Sequence, residues 1–169
     1  MGTIGEDMRR MVEEQRRLGL VATVCRDGTP NLSPKGTTAA WDDERLIFAD
    51  VRSPRTVENL RQNPATEVNF VDPISRKGHR FKGTAAVFAQ GDLFEEAIEF
   101  YRGCGVSSRI RAVVVVEVER ALPLTSPAYD QGAAEEEVRE RWERYYEALR
   151  GDVRPASASG AGKRTGPLG

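Results

Sequence analysis

Between residues 20 and 51 the chain carries three runs rich in β-branched and aromatic residues, and the first two are joined by Arg26-Asp27-Gly28-Thr29-Pro30. An Asp-Gly pair between strand-like runs specifies a tight hairpin, because glycine takes positive φ without steric penalty. That feature commits the opening of the chain to antiparallel neighbours, since a parallel pair needs a crossover of a dozen residues or more. Residues 20–25 form the first expected strand and 31–41 the second. The turn Asp42-Asp43-Glu44 leads into a third over 45–51, so the opening reads as a meander.

Helices are expected around it. Ile4, Met8, Met11 and Val12 recur at helical spacing, which predicts an amphipathic helix over 4–17. Ser53 is a candidate N-cap, Pro54 suits the first helical position, and Asn63-Pro64 stops the segment. Further strands are expected over 65–71, 80–89 and 111–122, with Val113–Val116 buried on both faces. Helices are expected over 91–101 and 135–150. From Gly151 onward the chain is Gly, Ala, Ser, Pro and basic residues without periodicity, a tail expected to be disordered. Residues 1–150 are expected to form one domain, mainly β with flanking helices: a small six-stranded antiparallel barrel, closed or half-closed.

Composition removes several function classes. The 169 residues hold one histidine and two cysteines, which leaves no His pair and no Cys cage to ligate a metal, so no metal is expected and hydrolases are poor candidates. A formal charge of -1 gives no global field for a nucleic-acid backbone. No apolar run reaches the roughly 18 residues of a membrane span, and the acidic start is unlike a signal peptide. A cytoplasmic, reduced setting is the expectation, with a small molecule as substrate.

Two segments carry chemistry. Ser33-Pro34-Lys35-Gly36-Thr37 interrupts a strand pattern with a proline and a glycine, opening the backbone to close approach. Ser53-Pro54-Arg55-Thr56 places a guanidinium and two hydroxyls in the first turn of a helix, whose unpaired N–H groups attract anions. Taken singly, the first is compatible with an irregular strand bearing a surface lysine and the second with a capped helix. Together, Lys35, Arg55 and the helix end would offset the charge of a phosphomonoester.

The stretch from about Leu18 to Val87 resembles the flavin-binding split-barrel proteins related to pyridoxamine 5'-phosphate oxidase. The resemblance rests on the Asp-Gly-x-Pro turn, Ser33–Thr37, Phe48-Ala49-Asp50, the Ser53–Leu60 helix, the Asn63-Pro64 stop and Phe81-Lys82-Gly83-Thr84-Ala85. It implies FMN at the interface of a homodimer, with Lys35, Ser53, Arg55 and Thr56 on the phosphate. It further implies the backbone of Ser33, Pro34, Lys35, Gly36 and Thr37, and of Phe48, Ala49 and Asp50, along the ribityl chain and ring. Backbone N–H groups near Gly36 and Ala49 would face the ring, and Arg80 would be contributed by the partner copy. The resemblance thus implies an FMN-dependent oxidoreductase whose catalytic residues are unknown. A non-catalytic flavin-binding protein and a reductase using the deazaflavin F420 stay open. The chain lacks the C-terminal Arg-rich, Trp-containing substrate segment of true pyridoxamine 5'-phosphate oxidases. A haem-binding branch exists, for which His79 would be the one histidine ligand, and it is read here as a surface residue.

Overall fold

The computed structural model describes residues 2–14 and 18–151. Its elements run α1 (Glu6–Glu14), β1 (Gly19–Val24), β2 (Pro30–Lys35), β3 (Ala39–Ala40), β4 (Arg45–Asp50), α2 (Pro54–Gln62), β5 (Ala65–Val71), β6 (Gly78–Phe88), α3 (Asp92–Gly103), β7 (Ala112–Leu124), α4 (Pro127–Asp130) and α5 (Glu135–Gly151). The expected extension of the first helix to residue 17 lies outside the described residues, as does the tail expected from Gly151, except that Gly151 itself is the last residue of α5. The chain groups into two compact units, Met1–Phe70 with Gly78–Pro123, and Val71–Lys77 with Leu124–Gly169.

One antiparallel sheet orders its seven strands β2-β1-β5-β6-β7-β4-β3. The hairpin that Asp27-Gly28 predicts is present, with Val24 opposite Pro30, Gly28 at φ +82°, and Asp27 Oδ1 accepting from the Thr29 amide and hydroxyl. The strand expected over 31–41 is two strands, which raises the count from six to seven. The break at 36–38 has a side-chain cause. Thr38 Oγ1 donates to the Lys35 carbonyl at 3.0 Å and Thr37 Oγ1 to the Ala49 carbonyl at 3.3 Å, so local bonds replace ladder bonds.

In the first unit, Val21, Leu46, Phe48, Val68, Phe70 and Phe81 are fully enclosed in the main core, with α1 contributing Val12 and α2 contributing Val57 and Leu60. A second apolar cluster sets Ala97 and Tyr101 of α3 with Ile47, Val113 and Val115 of the sheet. The expected double burial of the valine run is observed, since residues 112–116 are all buried. Gly83 is required for this packing: a Cβ there would stand 1.9 Å from the Glu117 carbonyl oxygen.

The second unit is held by polar contacts around α5. Lys77 Nζ lies 2.6 Å from Glu135 Oε2, Arg139 bridges Glu135 and Asp72, and the Tyr129 hydroxyl donates to the Ser75 carbonyl at 2.5 Å. Arg76, with φ at +59°, stacks its guanidinium 4.3 Å from the Trp142 ring. Trp142 is buried and edge-on to Tyr145, which fits packing of the last helix. Among the described residues, no helix is long and apolar enough to cross a membrane.

Candidate anion and cofactor site

The site lies in the first unit, where the end of β2, the end of β4 and the start of α2 meet. Lys35 closes β2 with only 4% of its surface exposed. Its ammonium donates to Ser33 Oγ at 2.5 Å, and the pairing of Val21 with Ser33 and Gly19 with Lys35 puts both side chains on one face of β2. One neutral partner for a group with three donors leaves capacity for an acceptor from outside. Burial lowers the Lys35 pKa, and the charge of Asp50 acts in the opposite sense.

Asp50, also 4% exposed, ends β4. Its Oδ1 accepts the Ser53 backbone N–H at 2.6 Å and so fixes the turn that launches α2. Ser53 stands at the N-cap, as the sequence implies, but its side chain makes no capping bond. The hydroxyl and the first-turn amides behind it are therefore free to serve an anion. Arg55 is exposed in that turn, whereas Thr56 is buried.

Thr37 joins the two segments. Its hydroxyl donates to the Ala49 carbonyl and accepts from the Ala49 N–H at 2.9 Å, and its own carbonyl takes the Tyr101 hydroxyl at 2.9 Å. The Ala49 N–H expected to face a ring is thus spent on Thr37. Phe48 contributes only backbone, because its side chain is wholly inside the core. Pro34 and Gly36 are exposed beside Lys35. A groove of about 420 Å³ opens at the α2 side, lined among others by Asp50, Pro54, Glu58, Arg61 and Arg111.

The structure therefore brings together Ser33, Lys35, Thr37, Ala49, Asp50 and Ser53. No described contact joins Lys35 to Arg55. Arg80 stands apart on β6, its Nε 3.0 Å from Glu67 Oε1. His79 is in β6 rather than in a surface turn; it is half-buried, with Nδ1 3.4 Å from Met11 Sδ.

A buried polar cluster escaped the sequence reading. Asn59 Nδ2 donates to Thr23 Oγ1 at 3.0 Å and approaches Cys25 Sγ at 3.6 Å, and Asn31 Nδ2 donates to the same Thr23 oxygen at 3.2 Å. Asn31 shares the β2 face of Ser33 and Lys35, so a polar row runs along that strand. The available signal was Asn59 lying between the inward positions Val57 and Leu60.

The pyridoxamine 5'-phosphate oxidase family model matches residues 4–122. The chain belongs to that family. HupZ of Group A Streptococcus is similar at 33% identity, over 73% of this chain and 95% of that one, with a TM-score of 0.67. An FMN-binding protein of Syntrophomonas wolfei shares the fold at 16% identity, 71% and 90% coverage and TM-score 0.56. An F420 reductase does so at 20% identity, 70% and 98% coverage and TM-score 0.54. No curated protein matches. The seven-stranded sheet is the split-barrel sheet of this family.

The residues present fit a phosphorylated cofactor: a buried ammonium short of acceptors, an uncapped helix start with a free hydroxyl, and an exposed guanidinium beside it.

Proposed function

We propose that this chain is an FMN-dependent oxidoreductase acting on a small molecule as a homodimer. The observation that carries the reading is the buried Lys35 with a single hydroxyl partner, set beside an uncapped helix start in a chain of this family. Lys35 and Arg55 supply charge to the phosphate, and Ser53 and Thr56 supply hydroxyl donors. The backbone of residues 33–37 and 48–50 lines the remainder of the cofactor. A bound flavin would supply the hydride or electron transfer, so the chain's own residues bind, orient and exclude water.

A second copy is supported by an unsatisfied face. Leu20 opposes Pro34 and Ala22 opposes Leu32, so Leu20 and Leu32 share one side of the β1–β2 pair, where they are 38% and 66% exposed. Pro30 and Pro34 remove two N–H donors from this edge strand, which disfavours extension of the sheet and favours coverage by its face. Arg80 would then reach the cofactor of the other copy.

Mass spectrometry of the ligand that copurifies identifies the cofactor, and recovery of F420 in place of FMN would replace that assignment. Simultaneous Lys35→Ala and Arg55→Ala substitution is expected to weaken FMN at least about 100-fold, from two charge-assisted contacts of about 1.5–3 kcal/mol each. Full FMN affinity in that double variant overturns the site. Steady consumption of NADH or NADPH with an added acceptor separates an oxidoreductase from a protein that only binds flavin.

A further inference from the structure

The turn that leads from α3 into β7 is pinned at both ends and uncommitted between them. The Val106 N–H donates to the Tyr101 carbonyl at 3.0 Å and the Gly105 N–H to the Arg102 carbonyl at 2.9 Å, a pair of bonds that caps the end of α3. At the far end the Arg111 N–H donates to the Asp50 carbonyl at 2.9 Å. From Ser107 to Ile110, neither backbone nor side chain makes a hydrogen bond or ion pair with any described residue. Polar groups held in place without a protein partner are met by water or by a ligand.

This segment and α3 together line a groove of about 370 Å³. Phe94 and Ile98 from the helix and Val106 and Ile110 from the turn supply its apolar lining, and each of the four is only partly buried. Arg102 and Arg109 line it as well, and neither guanidinium has an ion-pair partner among the described residues. Ser107 and Ser108 add two hydroxyls. Glu95 is the one carboxylate of the lining, seven residues before Arg102 and so about 10 Å from it along the helix axis. The last carbonyls of α3 do not compete for the guanidiniums, because the Cys104, Gly105 and Val106 N–H groups already hold them.

Two guanidiniums against one carboxylate leave a single positive charge on the lining. A carboxylate ligand balances that charge, whereas a phosphate monoester overshoots it. The planar guanidinium fork matches a carboxylate, and a partly exposed apolar lining favours a ligand with an apolar body over water alone. We infer that the groove between α3 and the turn into β7 binds a small organic carboxylate, its head on Arg102 and Arg109 and its apolar body against Phe94, Ile98, Val106 and Ile110. None of these residues belongs to the anion and cofactor site, so the inference stands apart from the flavin reading.

The experiment titrates the isotope-labelled full chain, with any copurifying ligand left in place, and follows its amide NMR shifts. The probes are 4-phenylbutyrate, its uncharged counterpart 4-phenylbutanamide, and acetate, which has the head without the body. For 4-phenylbutyrate a Kd of about 1 mM is expected, ordinary for a ligand of about twelve heavy atoms, with the shifts centred on residues 94–110. The amide should bind about fivefold more weakly, since two exposed charge pairs are each kept small by solvent, and acetate at least about tenfold more weakly. Joint Arg102→Gln and Arg109→Gln substitution should bring carboxylate and amide to equal affinity. Glu95→Gln should widen the preference for the carboxylate. All three positions are exposed, and the unperturbed amides elsewhere report that the fold is kept. In wild type alone, three results would each overturn the inference: no saturation by about 10 mM, shifts confined to residues outside 94–110, or an amide that binds as well as the carboxylate. A carboxylate preference that survives loss of both guanidiniums overturns it too.

Discussion

Strand β4 is buried at five of its six residues, from Leu46 to Asp50, whereas β2 alternates and leaves Leu32 two-thirds exposed. The first pairs along its length with β7 and meets the two-residue β3 only at Leu46 and Ile47. The second is an edge, bonded to β1 alone and carrying two prolines. A strand enclosed on both faces cannot offer side chains to a ligand without opening the core, so β4 offers its end and some of its backbone. An edge strand can place a polar row on one face at little cost, and β2 does so with Asn31, Ser33 and Lys35. The candidate site lies where the two kinds of strand meet, and Thr37 is the joint.

The sharpest way to break this contrast is to cut into the enclosed strand. Phe48→Ala is expected to destabilise the chain by about 3–5 kcal/mol, from lost transfer energy plus the cavity left behind, measured by urea unfolding. A loss below about 1 kcal/mol would mean that β4 is not the rigid partner of the pair. On the edge strand the balance should invert. Lys35→Ala should weaken FMN at least about tenfold, since a charge-assisted bond is worth about 1.5–3 kcal/mol, and should move the urea midpoint far less than Phe48→Ala does. Equal effects on folding and binding would erase the distinction between support and site.

The joint itself gives a smaller effect. Thr37→Val keeps shape and removes the hydroxyl that both gives to and takes from Ala49. About 1–3 kcal/mol of stability should be lost, because the Ala49 N–H and carbonyl are left unpaired. A flavin affinity unchanged despite that loss would show that the bend does not position Lys35.

The same contrast explains what the sequence reveals. Enclosed strands announce themselves by composition: the Val113–Val116 run and Leu46-Ile47-Phe48 are apolar without alternation and both are buried, the first as expected. The first hairpin is legible because its signal is local, a glycine that must take positive φ. The division of 31–41 into β2 and β3 is not, because it depends on Thr37 reaching a residue 12 positions away. Proline and glycine flagged an irregularity there without showing a break. For the same reason Ser33, Lys35, Arg55 and Thr56 could be singled out by residue type, while Tyr101 on the Thr37 carbonyl and Asn59 on Thr23 could not. Their partners are fixed by the sheet, 64 residues apart for Tyr101 and 36 for Asn59. The idle hydroxyl of Ser53 was hidden because Asp50 had already set the turn that a capping serine would otherwise set.

The smallest effect compares the turns that feed the two strands. Asp42, between β3 and β4, is partly buried, which alone would raise its pKa. The Arg45 side chain, the Glu44 amide, and the Arg45 charge and amide together outweigh burial and hold it below the ordinary carboxylate value. Asp27, before β2, is also lowered, by the Thr29 hydroxyl and then its amide, but is fully exposed. A carboxylate with a depressed folded pKa stabilises above its unfolded value near 3.9 and gives that up as pH falls through the folded value. Asp42→Asn keeps acceptors for the Glu44 and Arg45 amides while losing the charge that faces Arg45 Nε at 2.6 Å. Between pH ~5 and ~2.5, wild type should therefore lose about 0.5 kcal/mol more than Asp42→Asn, a figure reduced for solvent screening at a turn still open to water. Asp27→Asn should alter the acid response less than Asp42→Asn. A larger response at Asp27 would mean that the hairpin turn, and not the turn into the enclosed strand, is where charge and folding are coupled.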